Sequence, residues 1–381
     1  MKRVAIIGAG ISGLFIANLL KKNPKYEIKI YEKNKSINLD EGYGIQLSVN
    51  SVKLLNEIEF NLLNDNEKFT PEKLDFYLNN KSKICELNLS DFNLTGCKYT
   101  TLKRSVLINF LCKNLKNLIE FNHNISKIEK HKSKIKLTFE NRKKYEYDYL
   151  IISDGVFSKG KSLISNDKIK PKYNNCIAIR GNISKNNLNN LDEKNISLFM
   201  GHNFHYVIYP VNNSNEAFSF IGILKYKLKA NELSNYSLFK EETFIKGIKE
   251  KLQNKISSNV LDNLNKIKCF PVFVSKSFHK PVNNVYLVGD AFFAFPPSFA
   301  QGASQSIEGG SELFESITNK ENNFFNNRVT KVKMVNNRSK LNQFTFHLSN
   351  PIIIFFRNIT LKILIKNKRF LKNYLGKIYK N

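Results

Sequence analysis

Cysteine is scarce and unpatterned in this sequence. Cys85, Cys97, Cys112, Cys176 and Cys269 lie far apart, are odd in number and form no C-x-x-C pair. They support neither a zinc cluster nor a disulfide framework, and they fit a reducing, cytoplasmic setting. No uninterrupted apolar run reaches the roughly 18 residues that a membrane span needs, so none is expected. Residues 1–20 place Lys2 and Arg3 ahead of an apolar run, as a signal peptide would, but no cleavage site follows and three glycines interrupt the run. Acidic residues are few. Lys+Arg number 60 against 32 Asp+Glu, a formal net charge of +28, which alone would point to nucleic acid or an anionic membrane. Arginine is scarce too, at eight of the 60 basic residues. No basic run is interleaved with aromatics as a nucleic-acid stripe would be, so no nucleic-acid partner is expected. Lys, Asn and Ile are spread throughout, as an AT-rich coding sequence would leave them, and the N-x-S/T triplets follow from the excess of Asn. Internal repeats and linkers are absent from the sequence pattern. Its 381 residues suffice for a large core, in two domains or one elaborated α/β unit.

What is present is organised around residues 2–20, KRVAIIGAGISGLFIANLL. Residues 4–7 read as a buried strand and residues 14–20 as a helix. Between them stand Gly8, Gly10, Ile11, Ser12 and Gly13 in a G-x-G-x-x-G frame. The first glycine permits a tight turn, the second lets a pyrophosphate approach the backbone, and the third lets helix pack on strand. The helix N-terminus then offers N–H groups and a partial positive charge to that pyrophosphate. A second strand over 27–31 ends at Glu32, where a carboxylate is placed to accept from ribose hydroxyls. The pattern predicts a dinucleotide site.

Along the chain, Gly42 and Gly44 mark a turn, and Val52, Leu55 and Ile58 have helical spacing. Residues 70–89 read as short strands, 101–115 as a helix with Arg104 in its first turn, and 125–129, 134–139 and 145–152 as three strands. Residues 176–184, 197–200, 206–211 and 217–224 form a second strand-rich region. Residues 239–252 and 260–267 read as helices, 284–317 as strand, loop and helix, and the chain closes in a basic-apolar helical tail from Lys331.

Three motifs stand in one order: GAGISG with Glu32, DGVFSKGK from Asp154, and VYLVGDAFFAFPPSFAQGA from Val285. That order resembles the FAD-dependent aromatic hydroxylases, the group A flavoprotein monooxygenases, over nearly the whole chain. The resemblance implies an α/β fold: a Rossmann-like FAD-binding domain (1–70, 100–165 and 268–340), an inserted β-sheet substrate domain (71–99 and 166–267), and a C-terminal helical tail (341–381). It also implies that Gly289 and Asp290 meet the flavin ribityl chain. Pro296, Pro297, Gly302 and Ala303 would then match the loop and helix start against the isoalloxazine. Asp154 and Gly155, with Ser158, match a motif serving FAD and NAD(P)H, and Arg104 matches a helix arginine that contacts the cofactor. Residues 205–211 resemble a strand lining the substrate side, and Arg180–Gly181 another strand of that sheet.

This chain departs from the family's pattern at four places: Lys33 and Lys161 stand where Arg is usual, Phe293 replaces a His, and Gly309 follows Ile307-Glu308 where Asp is common. The expected activity is NAD(P)H- and O2-dependent hydroxylation or epoxidation of an aromatic or apolar unsaturated small molecule through a flavin hydroperoxide, with FAD carrying the chemistry. No catalytic triad is required and no metal is expected. His205 and Tyr209 are substrate-side candidates by position, with His205 read first as a packed strand residue. The alternatives are a flavin-dependent isoprenoid or quinone-pathway reductase or hydroxylase at a membrane surface, and a flavin-binding protein without turnover. A halogenase is disfavoured because its W-x-W-x-I-P signature cannot exist in a chain with no Trp. The tail puts Ile352, Phe355, Phe356, Ile359 and Ile363 on one face among basic residues. This is expected to cap the FAD domain, with peripheral membrane contact as the alternative.

Overall fold

A computed structural model describes the chain except residues 38, 40–42, 132, 166–169, 186–187, 189–190, 214–216, 236, 281, 283, 320–322 and 380–381. Gly42, assigned above to a turn, lies outside the described residues. The first apolar run forms the strand Lys2–Ile7 at the centre of a five-stranded parallel sheet. Its order is Val285–Leu287, Tyr149–Ile152, Lys2–Ile7, Tyr26–Tyr31, Ile119–Glu120. Val4, Ala5, Ile6 and Ile7 are all buried, as a parallel strand covered on both faces requires. The helix Ile11–Lys21 packs on this sheet and against the helix Gly302–Asn319. Eight of its eleven residues are buried. Each of its large apolar side chains contributes about 1.5–3 kcal/mol on leaving water.

A seven-stranded sheet faces this unit. Its order is Asn265–Val274, Lys172–Ser184, Ala217–Lys225, Phe204–Pro210, Ile196–Gly201, Lys73–Leu78, Lys83–Asn88. All its neighbours are antiparallel except Ile196–Gly201 beside Lys73–Leu78. Segments far apart in sequence thus share one sheet, and the expected boundary at 268 falls inside the strand Asn265–Val274. Two three-stranded sheets complete the β structure among the described residues.

Three sequence expectations are corrected. The helix expected from 101 begins at Arg104, because Thr100–Lys103 is a strand paired with Gly44–Leu47 and Lys68–Phe69. The strand expected over 145–152 is two strands, split at Asp148. Lys144–Tyr147 pairs antiparallel with Lys134–Phe139, whereas Tyr149–Ile152 joins the parallel sheet. The helix expected over 260–267 ends at Asp262, since residues from Asn265 pair with Lys172–Ser184. In the first and third cases sheet pairing overrides local helical spacing, and in the second the two halves of one apolar run join different sheets.

A buried ionic cluster anchors the helix Gly302–Asn319. Arg328 Nη1 lies 3.1 Å from both Glu308 and Glu312. Its Nη2 donates to Gln305, while Asn50 Nδ2 donates to Glu308 Oε2 at 2.7 Å and Lys331 Nζ stands 3.2 Å from Glu308. A Cβ on Gly309 would meet Arg328 Nε at 3.3 Å. The guanidinium therefore occupies the space beside Gly309, and the second carboxylate comes from Glu312, one turn along.

The tail divides in two. The last turns are buried through Leu375, Ile378 and Tyr379, and Tyr379 packs edge-on against Phe92. They cover part of the core beside Phe92. The helix Pro351–Lys366 has no buried residue, and Ile352, Phe355, Phe356, Ile359 and Ile363 are all exposed. Phe356 borders the cavity as well, whereas Ile352, Phe355, Ile359 and Ile363 form a row that covers no other element among the described residues.

Candidate active site

The three motifs meet through their backbones. Gly8 has φ +101°, and a Cβ there would stand 2.7 Å from Ser153 O. Ser153 Oγ donates to Ile7 O at 2.8 Å and to Gly8 O at 2.9 Å. A Cβ on Gly13 would lie 2.2 Å from Gly8 O, so helix and strand touch at contact distance. Gly289 has φ +60°, and its Cβ would meet Ser12 Oγ at 2.6 Å. Nothing lies within 4 Å of a Cβ built on Gly10 or on Gly302. Both therefore border open space on the two sides of one crevice.

The crevice has the polar groups of an anion and ribose site. The helix Ile11–Lys21 starts without a side-chain cap or an acidic residue in its first turn, which leaves its N-terminal dipole available to an anion. Glu32 Oε2 accepts from Ala9 N–H and Oε1 from Asn34 N–H, each at 3.0 Å. The carboxylate thus braces the glycine loop, and each oxygen keeps a second lone pair. Lys33 is exposed.

Farther along, Asp154 Oδ2 accepts from Gly160 N–H at 2.8 Å, and its Oδ1 is buried with no hydrogen-bond partner among the described residues. Burial pushes its carboxyl up. Asp290 is accessible to the cavity it lines, with protein surrounding it, and desolvation lifts its carboxyl to about 6 against the pull of Lys161. Lys161 is itself buried. Desolvation pushes its ammonium down, and Asp154 and Asp290 hold it up. A lysine thus places a point charge between two carboxylates, where an arginine would impose a planar fork. Phe293, in the place of the family's His, is buried and stacks on Phe278 at 4.3 Å, so that position serves packing.

Beyond Asp290 opens a cavity of about 720 Å³. Its near wall is Gly44–Gln46 together with Pro297, Gly302 and Ala303, and its far wall is the seven-stranded sheet through Leu198, Met200, His205, Val207, Tyr209 and Ile221. Polar groups are few, and Arg180, Gln46, Tyr99 and Tyr209 gather near Gly44. Arg180 Nη1 donates to Gly44 O at 3.3 Å and its guanidinium lies 5.9 Å from the Tyr43 ring centroid. Tyr99 OH donates to Gln46 Oε1 at 2.7 Å. Burial pushes the Tyr209 hydroxyl, beside Ser219 and Gln46, up to about 12. Gly44 permits the close approach of loop and sheet: a Cβ there would stand 2.6 Å from Ser219 Cβ, and its N–H donates to Ser219 Oγ at 2.9 Å. Arg104 stands next to this loop, its N–H donating to Tyr43 O at 2.8 Å.

His205 lies in the cavity wall with Nδ1 2.7 Å from His347 Nε2. Burial, then the neighbouring imidazole, holds His205 well below its ordinary range, and burial pushes His347 down to about 4. Both rings are neutral at neutral pH, and one donates to the other.

Residues 6–39 match the family model of the NAD(P)-binding Rossmann-like domain. Salicylate hydroxylase of Pseudomonas putida is 23% identical over 228 residues, covering 55% of this chain and 51% of the relative. The 3-amino-4-hydroxybenzoate 2-monooxygenase of Streptomyces cremeus is 25% identical over 230 residues, covering 58% of this chain and 57% of the relative. The matched stretch thus spans little more than half the length of these curated relatives. Among solved structures, a single-substitution variant of HpxO from Klebsiella pneumoniae complexed with FAD superposes with a TM-score of 0.84 at 16% identity, covering 100% of this chain and 98% of that one. A second HpxO structure holds FAD and uric acid. The chain has the fold of the FAD-dependent aromatic hydroxylases.

In this aromatic-hydroxylase fold Gly289 packs against Ser12 and Gly8 against Ser153, Glu32 braces the glycine loop, and Asp290, Pro297, Gly302 and Ala303 line the cavity. Gly10, the uncapped helix and the unpartnered Asp154 Oδ1 fit a dinucleotide bearing a pyrophosphate. Sequence reasoning missed Ser153, Gln46, Tyr43 and His347. Ser153 directly precedes the Asp154–Gly155 motif, which is a local signal. The other three come together only through sheet and tail packing. No group of three or more His, Cys, Asp or Glu among the described residues is arranged to hold a metal ion.

Proposed function

We propose that the protein is an FAD-dependent monooxygenase that uses NAD(P)H and O2 to hydroxylate or epoxidise an aromatic or apolar unsaturated small molecule. The observation that carries this is the place of Asp290. It directly follows Gly289, which packs against Ser12 of the glycine motif, and it lines an apolar chamber of about 720 Å³, as a long cofactor with its reactive ring at a substrate pocket requires. FAD, when bound, supplies the redox and oxygen chemistry.

The chain's own residues bind, orient and exclude water. Glu32 accepts from the adenosine ribose, while the N-termini around Gly10, Ile11, Ser12 and Gly13 take the pyrophosphate. Asp154, Gly155, Gly289 and Asp290 hold the linking chain, with Lys161 balancing the charge of the two carboxylates. Arg104, Pro297, Gly302 and Ala303 frame the ring, and Lys33 lies at the outer edge of the ribose end. Leu198, Met200 and Ile221 keep water from the substrate, and Arg180, Gln46 and Tyr209 orient its polar substituent. His205, neutral and bonded to His347, is a hydrogen-bonding group at the cavity wall. The division into FAD-binding, substrate and tail segments given above is part of the same reading. It is supported by the sharing of one sheet by residues 73–88 and 172–274.

The first test is the visible absorption spectrum of the purified protein, followed by NAD(P)H oxidation with a panel of phenols. Flavin bands, FAD released on denaturation, and oxidation stimulated by a phenol are the expected results. A colourless protein that FAD cannot reconstitute overturns the reading. Tight FAD binding without any oxidation assigns a flavin-binding protein instead.

A further inference from the structure

The helix Pro351–Lys366 is well formed yet uncovered. Asn350 Oδ1 caps it by accepting from Ile352 N–H at 2.9 Å and Ile353 N–H at 3.3 Å, and Pro351 opens it. None of its 16 residues is buried. Its two long faces differ. One, through Ile353, Phe356, Arg357, Leu361 and Leu364, lines the cavity. Arg357 on that side donates to Thr345 O at 3.1 Å, which ties the helix down. The other presents Ile352, Phe355, Ile359 and Ile363, which are 68%, 61%, 40% and 62% exposed. Single exposed apolar residues are ordinary, but a continuous row along about three turns marks an interaction face.

Charge identifies what covers it. Lys362, Lys366, Lys368, Arg369 and Lys372 border the row and are exposed, and the sequence has no Asp or Glu after Glu321. An apolar row bordered along its own helix by cations and by no acidic residue matches a bilayer with anionic headgroups: the apolar side chains enter the acyl boundary and the lysines stay among the phosphates. At 1.5 Å per residue the helix is about 24 Å long. Among the described residues no helix is long and apolar enough to cross a membrane, so this one lies in the plane of the surface. We propose that the Ile352–Ile363 face of this helix docks the protein on an anionic lipid surface. The cavity mouth, beside the exposed Leu341, Phe344 and Phe356 that also line it, then faces the lipid.

The docking does not depend on the proposed oxygenase activity, and its test uses neither NAD(P)H nor substrate. Full-length, FAD-loaded protein is sedimented with vesicles of phosphatidylcholine alone or with about one-third phosphatidylglycerol. At least about tenfold more protein is expected with the anionic vesicles. Combined Ile352→Ser, Phe355→Ser, Ile359→Ser and Ile363→Ser substitutions should reduce that binding about tenfold or more, with unfolding temperature and flavin spectrum unchanged. Combined Lys362→Glu, Lys366→Glu and Lys368→Glu substitutions should abolish the preference for anionic lipid. Failure of the unmodified protein to sediment with either vesicle overturns the proposal. So does a dimer in sedimentation velocity that the serine variant dissociates, because the face then belongs to a second copy of the chain.

Discussion

The parallel-sheet side and the seven-stranded-sheet side build their parts of the candidate site differently. On the parallel side, backbone makes the site: Gly8, Gly13 and Gly289 bring three strand ends and helix starts to within contact of one another, and an uncapped helix supplies the polarity. On the other side, side chains from distant strands make an apolar wall with a few polar groups near Gly44. Backbone-built sites tolerate almost no added atom, whereas a side-chain wall can be retuned residue by residue. This contrast accounts for one fold accommodating different substrates while keeping one cofactor crevice.

The strongest way to break the contrast is Gly13→Val. A Cβ at this position would already sit 2.2 Å from Gly8 O, and backbone cannot yield as a side chain would. The expected outcome is loss of soluble, flavin-coloured protein, seen by expression and absorption. If Gly13→Val folds and binds FAD, the close approach is not needed. Next comes Arg328→Ala, which removes the main partner of the buried Glu308 and the half-buried Glu312 and should cost about 3 kcal/mol in urea unfolding. Lys331 still offsets part of the charge, so Arg328→Ala with Lys331→Ala should cost more than either alone.

Smaller effects are expected on the seven-stranded side. His347 has its folded pKa lowered to about 4, from an ordinary 6.5. The neutral ring is favoured in the fold, so its contribution to stability is fully present above pH 6.5 and is lost as pH falls toward 4. His205 shifts in the same direction. Urea midpoints of the unmodified protein should therefore fall more steeply between pH 6.5 and 4 than those of His347→Asn, and equal slopes would remove the histidine pair from the account. The raised carboxyl of Asp290 acts oppositely in the protein without flavin: its contribution is present below the unfolded carboxylate range and is lost as pH rises through about 6. The slope comparison therefore belongs in one flavin state. Smallest of all is Tyr209→Phe. It should change stability by no more than about 0.5 kcal/mol, while raising KM for a hydroxylated substrate more than it lowers kcat. A large loss of stability without a kinetic change would make Tyr209 a packing residue.

The parallel half was legible because its requirements are local. Gly8, Gly10 and Gly13 answer steric demands within one strand-turn-helix, and Glu32 follows at the distance one crossover sets. Asp154–Gly155 and Gly289–Asp290 were legible by likeness to a known order of motifs. The seven-stranded half was legible as strands, expected over 206–211 and 217–224 and found at Phe204–Pro210 and Ala217–Lys225, but not as a wall. Which strands adjoin depends on pairing across more than a hundred residues, as Lys73–Leu78 beside Ile196–Gly201 shows. Local spacing misled where sheet pairing competed with it, at 101–103, at Asp148 and at 265–267.

The tail shows the same limit at the surface. Its helices were plain from spacing, and a single apolar face appeared on Ile352, Phe355, Phe356, Ile359 and Ile363. Spacing gives the angle between residues around a helix, not the direction in which the helix is turned. Sequence by itself determined the glycine turns, the helices and strands of the nucleotide crevice, and the excess of positive charge, because each depends on neighbours within a few residues or on composition. Only the tertiary structure decided that Lys161 stands between Asp154 and Asp290, that His205 meets His347, and that the last turns of the chain are buried while the preceding helix is bare. Each of these depends on where separate elements dock, and docking is set by complementary surfaces that no single stretch of sequence contains.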